Sequence, residues 1–131
     1  GVSTLVTFLD LFMSLKNTFG TDVSKLFLHD ALSIETLSGT VTKPVMFTFD
    51  NGEIGICYSP IVANFKAKPE VCSMLEHINQ FIHEPKNQYR FQLHKNQLLI
   101  MNNTRALHGR TSFFNASDRL LLRFWNQRVS L

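Results

Sequence analysis

His108, Arg119 and Arg123 hold the side chains best suited to chemistry, and all lie within one stretch, Gln97 to Trp125. That stretch reads as a buried strand, a polar turn delivering the imidazole, a short loop, and a second strand carrying both guanidinia. Side chains alternate along a strand, so Arg119 and Arg123 face the same way, roughly 13 Å apart, with Leu120, Leu122 and Phe124 on the other face. Two cations backed by an apolar face suit an enclosed anion site or a solvated edge, and pattern alone leaves both open. The remaining histidines, His29, His77, His83 and His94, read as surface or hydrogen-bonded groups. None belongs to a two-histidine helical zinc motif or a Cys-His cluster. No Gly-rich phosphate loop or nucleophile elbow occurs, and nothing marks Ser112 or Ser117 as activated.

The elements that must position these groups fit one domain, residues 1–131, of ordinary globular composition: 44% hydrophobic and 18% charged residues. Net charge is +3, but the lysines and arginines are scattered, which argues against a nucleic-acid interface. No apolar run is long enough to span a bilayer and no signal-like start is present, so no membrane role and a cytoplasmic location are expected. Cys57 and Cys72 have neither metal nor redox spacing and are expected as buried thiols in a reducing compartment.

In chain order, Thr4–Phe8 is β-prone. Phe8, Leu11, Phe12 and Leu15 recur at helical spacing and Gly20 supplies a stop. Asp22 can cap a second short helix with Val23, Leu26 and Phe27 inward. Leu32, Ile34 and Thr36 suggest a strand, and residues 44–58 a β-hairpin turning at Asp50-Asn51-Gly52. Pro69 opens a helix whose stripe of Val71, Met74, Leu75, Ile78 and Ile82 ends at Pro85. Tyr89, Phe91 and Leu93 alternate as a half-buried strand, Lys95-Asn96 is a turn, and Leu98–Met101 is a continuous apolar strand. Short strands with a few helices outside them predict a mainly β fold with flanking helices, an antiparallel sandwich or jelly roll.

One run is more specific. Asn103-Thr-Arg-Ala-Leu-His108-Gly-Arg-Thr-Ser-Phe113, followed by Asp118-Arg119-Leu-Leu-Leu-Arg123, resembles the C-terminal signature of the TauD/TfdA, clavaminate-synthase-like family. Gly1-Val-Ser-Thr4-Leu-Val, followed by a Leu-rich helix, is similar to that family's Gly-Gly-x-Thr segment. Both ends of the chain match, and the middle matches in pattern only.

The resemblance implies a non-haem Fe(II), 2-oxoglutarate-dependent dioxygenase on a double-stranded β-helix (jelly roll, cupin-like). It makes His108 the distal histidine of a two-histidine, one-carboxylate iron triad. It makes Arg119 the grip on the far carboxylate of 2-oxoglutarate and Thr4 a hydrogen-bond partner of that cosubstrate. Arg123 matches an arginine that in relatives can hold an anionic group of substrate or cosubstrate, and is assigned here to the substrate; Arg110 matches a family position whose role, structural or catalytic, stays open. The implied reaction oxidises a small polar or amino-acid-like substrate while 2-oxoglutarate yields succinate and CO₂.

The family's other two iron ligands come from a His-x-Asp/Glu motif just upstream of the Gly-Gly-x-Thr segment, and no such motif occurs in this sequence. The expectation is therefore a double-stranded β-helix incomplete at its N-terminus. Fe(II) and 2-oxoglutarate would bind only once an N-terminal segment or second chain completes the site. Exposed sheet edges would then favour that partner or a homo-oligomer. The alternative is a catalytically inactive remnant serving as an anion-binding or interaction module.

Overall fold

The computed structural model describes residues 1–59, 65–111 and 122–124. Strand β1 (Ser3–Thr7) runs straight into helix α1 (Phe8–Phe19), with Thr7 ending the one and capping the other: its side chain accepts from the Asp10 amide at 3.4 Å. Helix α1 stops where expected, because Gly20 adopts a φ of 56°, a conformation that costs a side-chain-bearing residue more than glycine. A 3-10 helix, Gly20–Phe27, follows and buries Val23 and Leu26 as predicted. Asp22 does not cap it. Its carboxylate pairs instead with Lys25 at 3.4 Å within the same helix.

Strands β2 (Leu32–Thr36) and β3 (Gly39–Lys43) form an antiparallel hairpin, which β6 (Phe65–Lys66) joins on the other side of β2. Strands β4 (Met46–Thr48) and β5 (Ile54–Ile56) form the hairpin predicted around Gly52, whose φ is 83°. Helix α2 (Pro69–His83) buries Val71, Met74, Leu75 and Ile78, again on the predicted stripe. A short 3-10 turn, Pro85–Asn87, leads to β7 (Tyr89–Phe91), and β8 (Ala106–Arg110) follows the turn at 103–105. In the third sheet β1 lies between β7 and β8, antiparallel to both.

Among the described residues the fold is thus a set of small antiparallel sheets with two α-helices. Its core gathers under the helices: Phe8, Leu11 and Leu15 of α1 and Met74 and Ile78 of α2 meet Leu26, Val45, Met46 and Ile56. Across the α1–α2 contact His77, expected on the exposed side of its helix, is half-buried. Its Nε2 lies 2.8 Å from Ser14 Oγ, and its ring packs edge-on against Phe19 and stacks on Phe81.

Three further local expectations fail. Leu98–Met101 is not a strand, and Leu98 and Ile100 are 80% and 84% exposed. A strand exists only where a neighbour takes its backbone hydrogen bonds, and none of the described strands runs beside it. His108 sits on a strand, β8, rather than in a polar loop. Both cysteines are exposed: Cys57 follows the buried end of β5, and Cys72 lies beside buried Val71 on the outer face of α2. Of the strand expected at 119–125, only 122–124 lie among the described residues, where they are exposed and form no regular element.

Candidate active site

The turn before β8 is built to hold that strand against β1. Asn102 Oδ1 accepts from the Thr104 amide at 3.1 Å and its hydroxyl at 2.8 Å, and the Arg105 amide donates to the Asn102 carbonyl at 3.0 Å. Arg105 then reaches out of the turn. Its Nη1 donates to the Ile54 carbonyl at 2.7 Å, its guanidinium lies 5.3 Å from the centre of the Phe8 ring, and its carbonyl accepts from the Phe8 amide at 2.9 Å. At the far end of β8, Thr111 Oγ1 accepts from the Val2 amide at 2.8 Å while the Thr111 amide donates to the Val2 carbonyl at 2.9 Å. Much of the polar motif around His108 is therefore structural. It clamps β8 at both ends.

Between those clamps, Thr4 pairs with Gly109 and Leu5 with His108. The first pair is close: a Cβ on residue 109 would stand 3.0 Å from Thr4 Oγ1, so glycine there leaves room for the hydroxyl. A cleft of about 380 Å³ opens beside these strands, bounded by Thr4 and Val6 of β1, Arg90 of β7 and Leu107 to Arg110 of β8. Tyr58, Ile82, His83, Pro85, Gln88 and Thr111 complete its wall.

Thr4 and His108 thus border one cleft. Directly paired residues share a face of an antiparallel sheet, so Thr4 goes with Arg90 and Gly109, and His108 with Leu5 and Tyr89. The register sets the hydroxyl and the imidazole on opposite faces of the β1–β8 pair.

The charge of Arg123 is felt at His108. Partial burial, and then the positive charge of Arg123, lower the proton affinity of His108 below the ordinary histidine value. The imidazole is thereby biased toward its neutral form, the form that ligates a metal. Burial alone raises the Tyr58 phenol above its usual pKa. Arg119 lies outside the described residues.

The cleft includes polar groups that sequence reasoning did not assign to it, among them Tyr58, His83 and Arg90. His83 sits at the end of α2 with its ring Nδ1 donating to the Asn79 carbonyl at 2.7 Å. Arg90 becomes recognisable only with the register, since it pairs directly with Thr4. Arg110, whose role the motif left open, is part of the wall as well. Among the described residues no three of His, Cys, Asp and Glu gather as a metal site. The donors present do not by themselves fit an iron centre, for the described residues that line the cleft offer the imidazoles of His83 and His108 but no carboxylate.

The clamped strands carry the motif around His108, with Thr4 and His108 on opposite faces of the β1–β8 pair. The sequence matches the model of the family described as "Taurine catabolism dioxygenase TauD, TfdA family" over residues 15–125 of 131, and the chain belongs to that family. Membership implies an Fe/2-oxoglutarate dioxygenase type of function. The matched stretch contains His108, Arg119 and Arg123, while Thr4 precedes it. No curated protein matches the chain. Among the described residues no helix is long and apolar enough to cross a membrane.

Proposed function

We propose that this chain provides the cosubstrate-binding part of a non-haem Fe(II)/2-oxoglutarate dioxygenase with a double-stranded β-helix (jelly-roll) architecture. The reading is carried by the family motif, whose His108 strand is hydrogen-bonded to the Thr4 strand beside a shared cleft. Thr4 donates its hydroxyl to a carboxylate of 2-oxoglutarate, and Arg119 holds the far carboxylate as a two-pronged pair. Arg123 attracts an anionic group of a small polar or amino-acid-like substrate. His108 gives one ligand to the iron, and a His-x-carboxylate pair supplied outside these 131 residues gives the rest.

The test separates cosubstrate from metal. Titration calorimetry of 2-oxoglutarate into the chain, with and without Fe(II) under anaerobic conditions, should show binding that Arg119→Ala weakens far more than it weakens iron in the completed enzyme. Equal loss of both would make Arg119 a structural residue.

A second reading rests on the incomplete metal donor set among the described residues. In it the chain binds a small anion in the same cleft without oxidising anything. The two readings part when a polypeptide carrying the His-x-Asp/Glu pair is added with Fe(II) and 2-oxoglutarate in the absence of oxygen. A visible charge-transfer band supports the oxygenase, and its absence supports the anion module.

A further inference from the structure

A second cleft, about 300 Å³, lies where the end of β5 meets α2, and both cysteines of the chain line it together with Lys43, Tyr58 and Glu76. Cys57 and Cys72 are exposed free thiols, so reagents in solution reach both. Their polar contacts are opposite in sense. Lys43 Nζ donates to Cys57 Sγ at 3.8 Å, whereas Cys72 Sγ donates to the Ala67 carbonyl at 3.6 Å. One sulfur is held as an acceptor beside a cation. The other has its proton engaged.

That difference matters for sulfur chemistry, because the attacking species in thiol–disulfide exchange is the thiolate, and charge moves onto the leaving sulfur as the bond breaks. A neighbouring ammonium steadies the charge that moves onto the departing sulfur, and it also draws in carboxylate-bearing reagents. The cleft is at the small end of the usual range for small-molecule sites.

We propose that this cleft is a thiol–disulfide exchange site in which Cys57 attacks a small, carboxylate-bearing disulfide. Oxidised glutathione represents that class. The Cys57 sulfur forms a bond to one sulfur of the ligand as the ligand's own S–S bond breaks. The electron pair leaves on the departing thiolate, and the Cys57 proton passes to solvent. The ligand disulfide is the oxidant, so the exchange balances without another reagent. Lys43 positions the carboxylate-bearing disulfide and steadies the charge on the departing sulfur. The inference concerns a different cleft from the dioxygenase reading and stands or falls without it.

The fully reduced chain would be incubated with oxidised glutathione, quenched in acid and mapped by peptide mass spectrometry. Cys57 is expected to be modified ~10-fold faster than Cys72, the scale set by one nearby charge. Lys43→Gln should erase that preference, Lys43→Arg should keep much of it, and added salt should narrow it. Cystamine, a cationic disulfide, should show a smaller preference for Cys57 than glutathione does, which tests the unmodified protein without a substitution. The proposal is overturned if Cys72 reacts as fast as Cys57, or if cystamine and oxidised glutathione discriminate alike. An unchanged Cys57 rate in a folded Lys43→Gln variant would overturn it too.

Discussion

Thr4 and Gly109 face each other across β1 and β8 so closely that a side chain on residue 109 would meet the Thr4 hydroxyl. The hydroxyl therefore occupies space that only glycine leaves open. Thr4→Val keeps the shape and removes the donor. It is expected to weaken 2-oxoglutarate binding by about 1.5–3 kcal/mol, the usual worth of a hydrogen bond to a charged group. Gly109→Ala should act in the same direction by displacing the hydroxyl, while Thr4→Ser retains most of the affinity. Calorimetry on the three variants checks the order.

His108 should titrate below the ordinary histidine value, and Arg123→Gln should move its midpoint upward by removing the second cause of the shift. The sign for stability follows from the protons bound. Between the lowered folded value and the ordinary unfolded one, the unfolded chain holds more protons, so stability rises with pH through that window. The contribution is complete above the unfolded value and is lost as pH falls through the folded one. Imidazole proton shifts by NMR, with urea melts at several pH values, measure both effects.

Arg105 ties the turn before β8 to β5 and to α1 through the Ile54 carbonyl and the Phe8 ring. Arg105→Met keeps much of the aliphatic bulk but loses the charged donor and the ring contact. A loss of roughly 2–4 kcal/mol is expected from the combined terms. The midpoint of urea unfolding should drop with little change in slope. A drop in cosubstrate affinity without any change in stability would instead give Arg105 a role at the ligand.

Leu98 and Ile100 present apolar side chains to solvent in a segment of strand-like composition. Such a surface promotes association. The chain is expected to self-associate at micromolar concentration in sedimentation velocity, and Leu98→Lys with Ile100→Lys should shift it toward monomer. A single monomeric boundary for the unaltered chain would contradict this.

The elements legible in the sequence are those whose signals are local. Helix α1 announces itself by its apolar spacing and Gly20, α2 by Pro69 and its stripe, and the β4–β5 hairpin by Asp50-Asn51-Gly52. Strand β3 went unread because Gly39–Lys43 is mostly exposed, leaving no apolar alternation to detect. Leu98–Met101 misled for the converse reason: its composition suits a strand, but pairing depends on a neighbour that local pattern does not reveal. At the site, motif spacing singled out His108, yet the partners of β1 were hidden. Arg90 and Tyr58 reach the cleft through register and tertiary packing, which no short-range signal encodes.

No residue separates β1 from α1: the strand that carries Thr4 ends at Thr7, and the helix begins at Phe8. The strand that borders the cleft is consequently welded to a helix whose Leu11 and Leu15 are fully buried. Without a joint to absorb strain, a small tilt of that helix is carried to the cleft as a displacement of the strand. Distant alterations beneath Leu11 should therefore surface as changes in ligand affinity before they surface as unfolding.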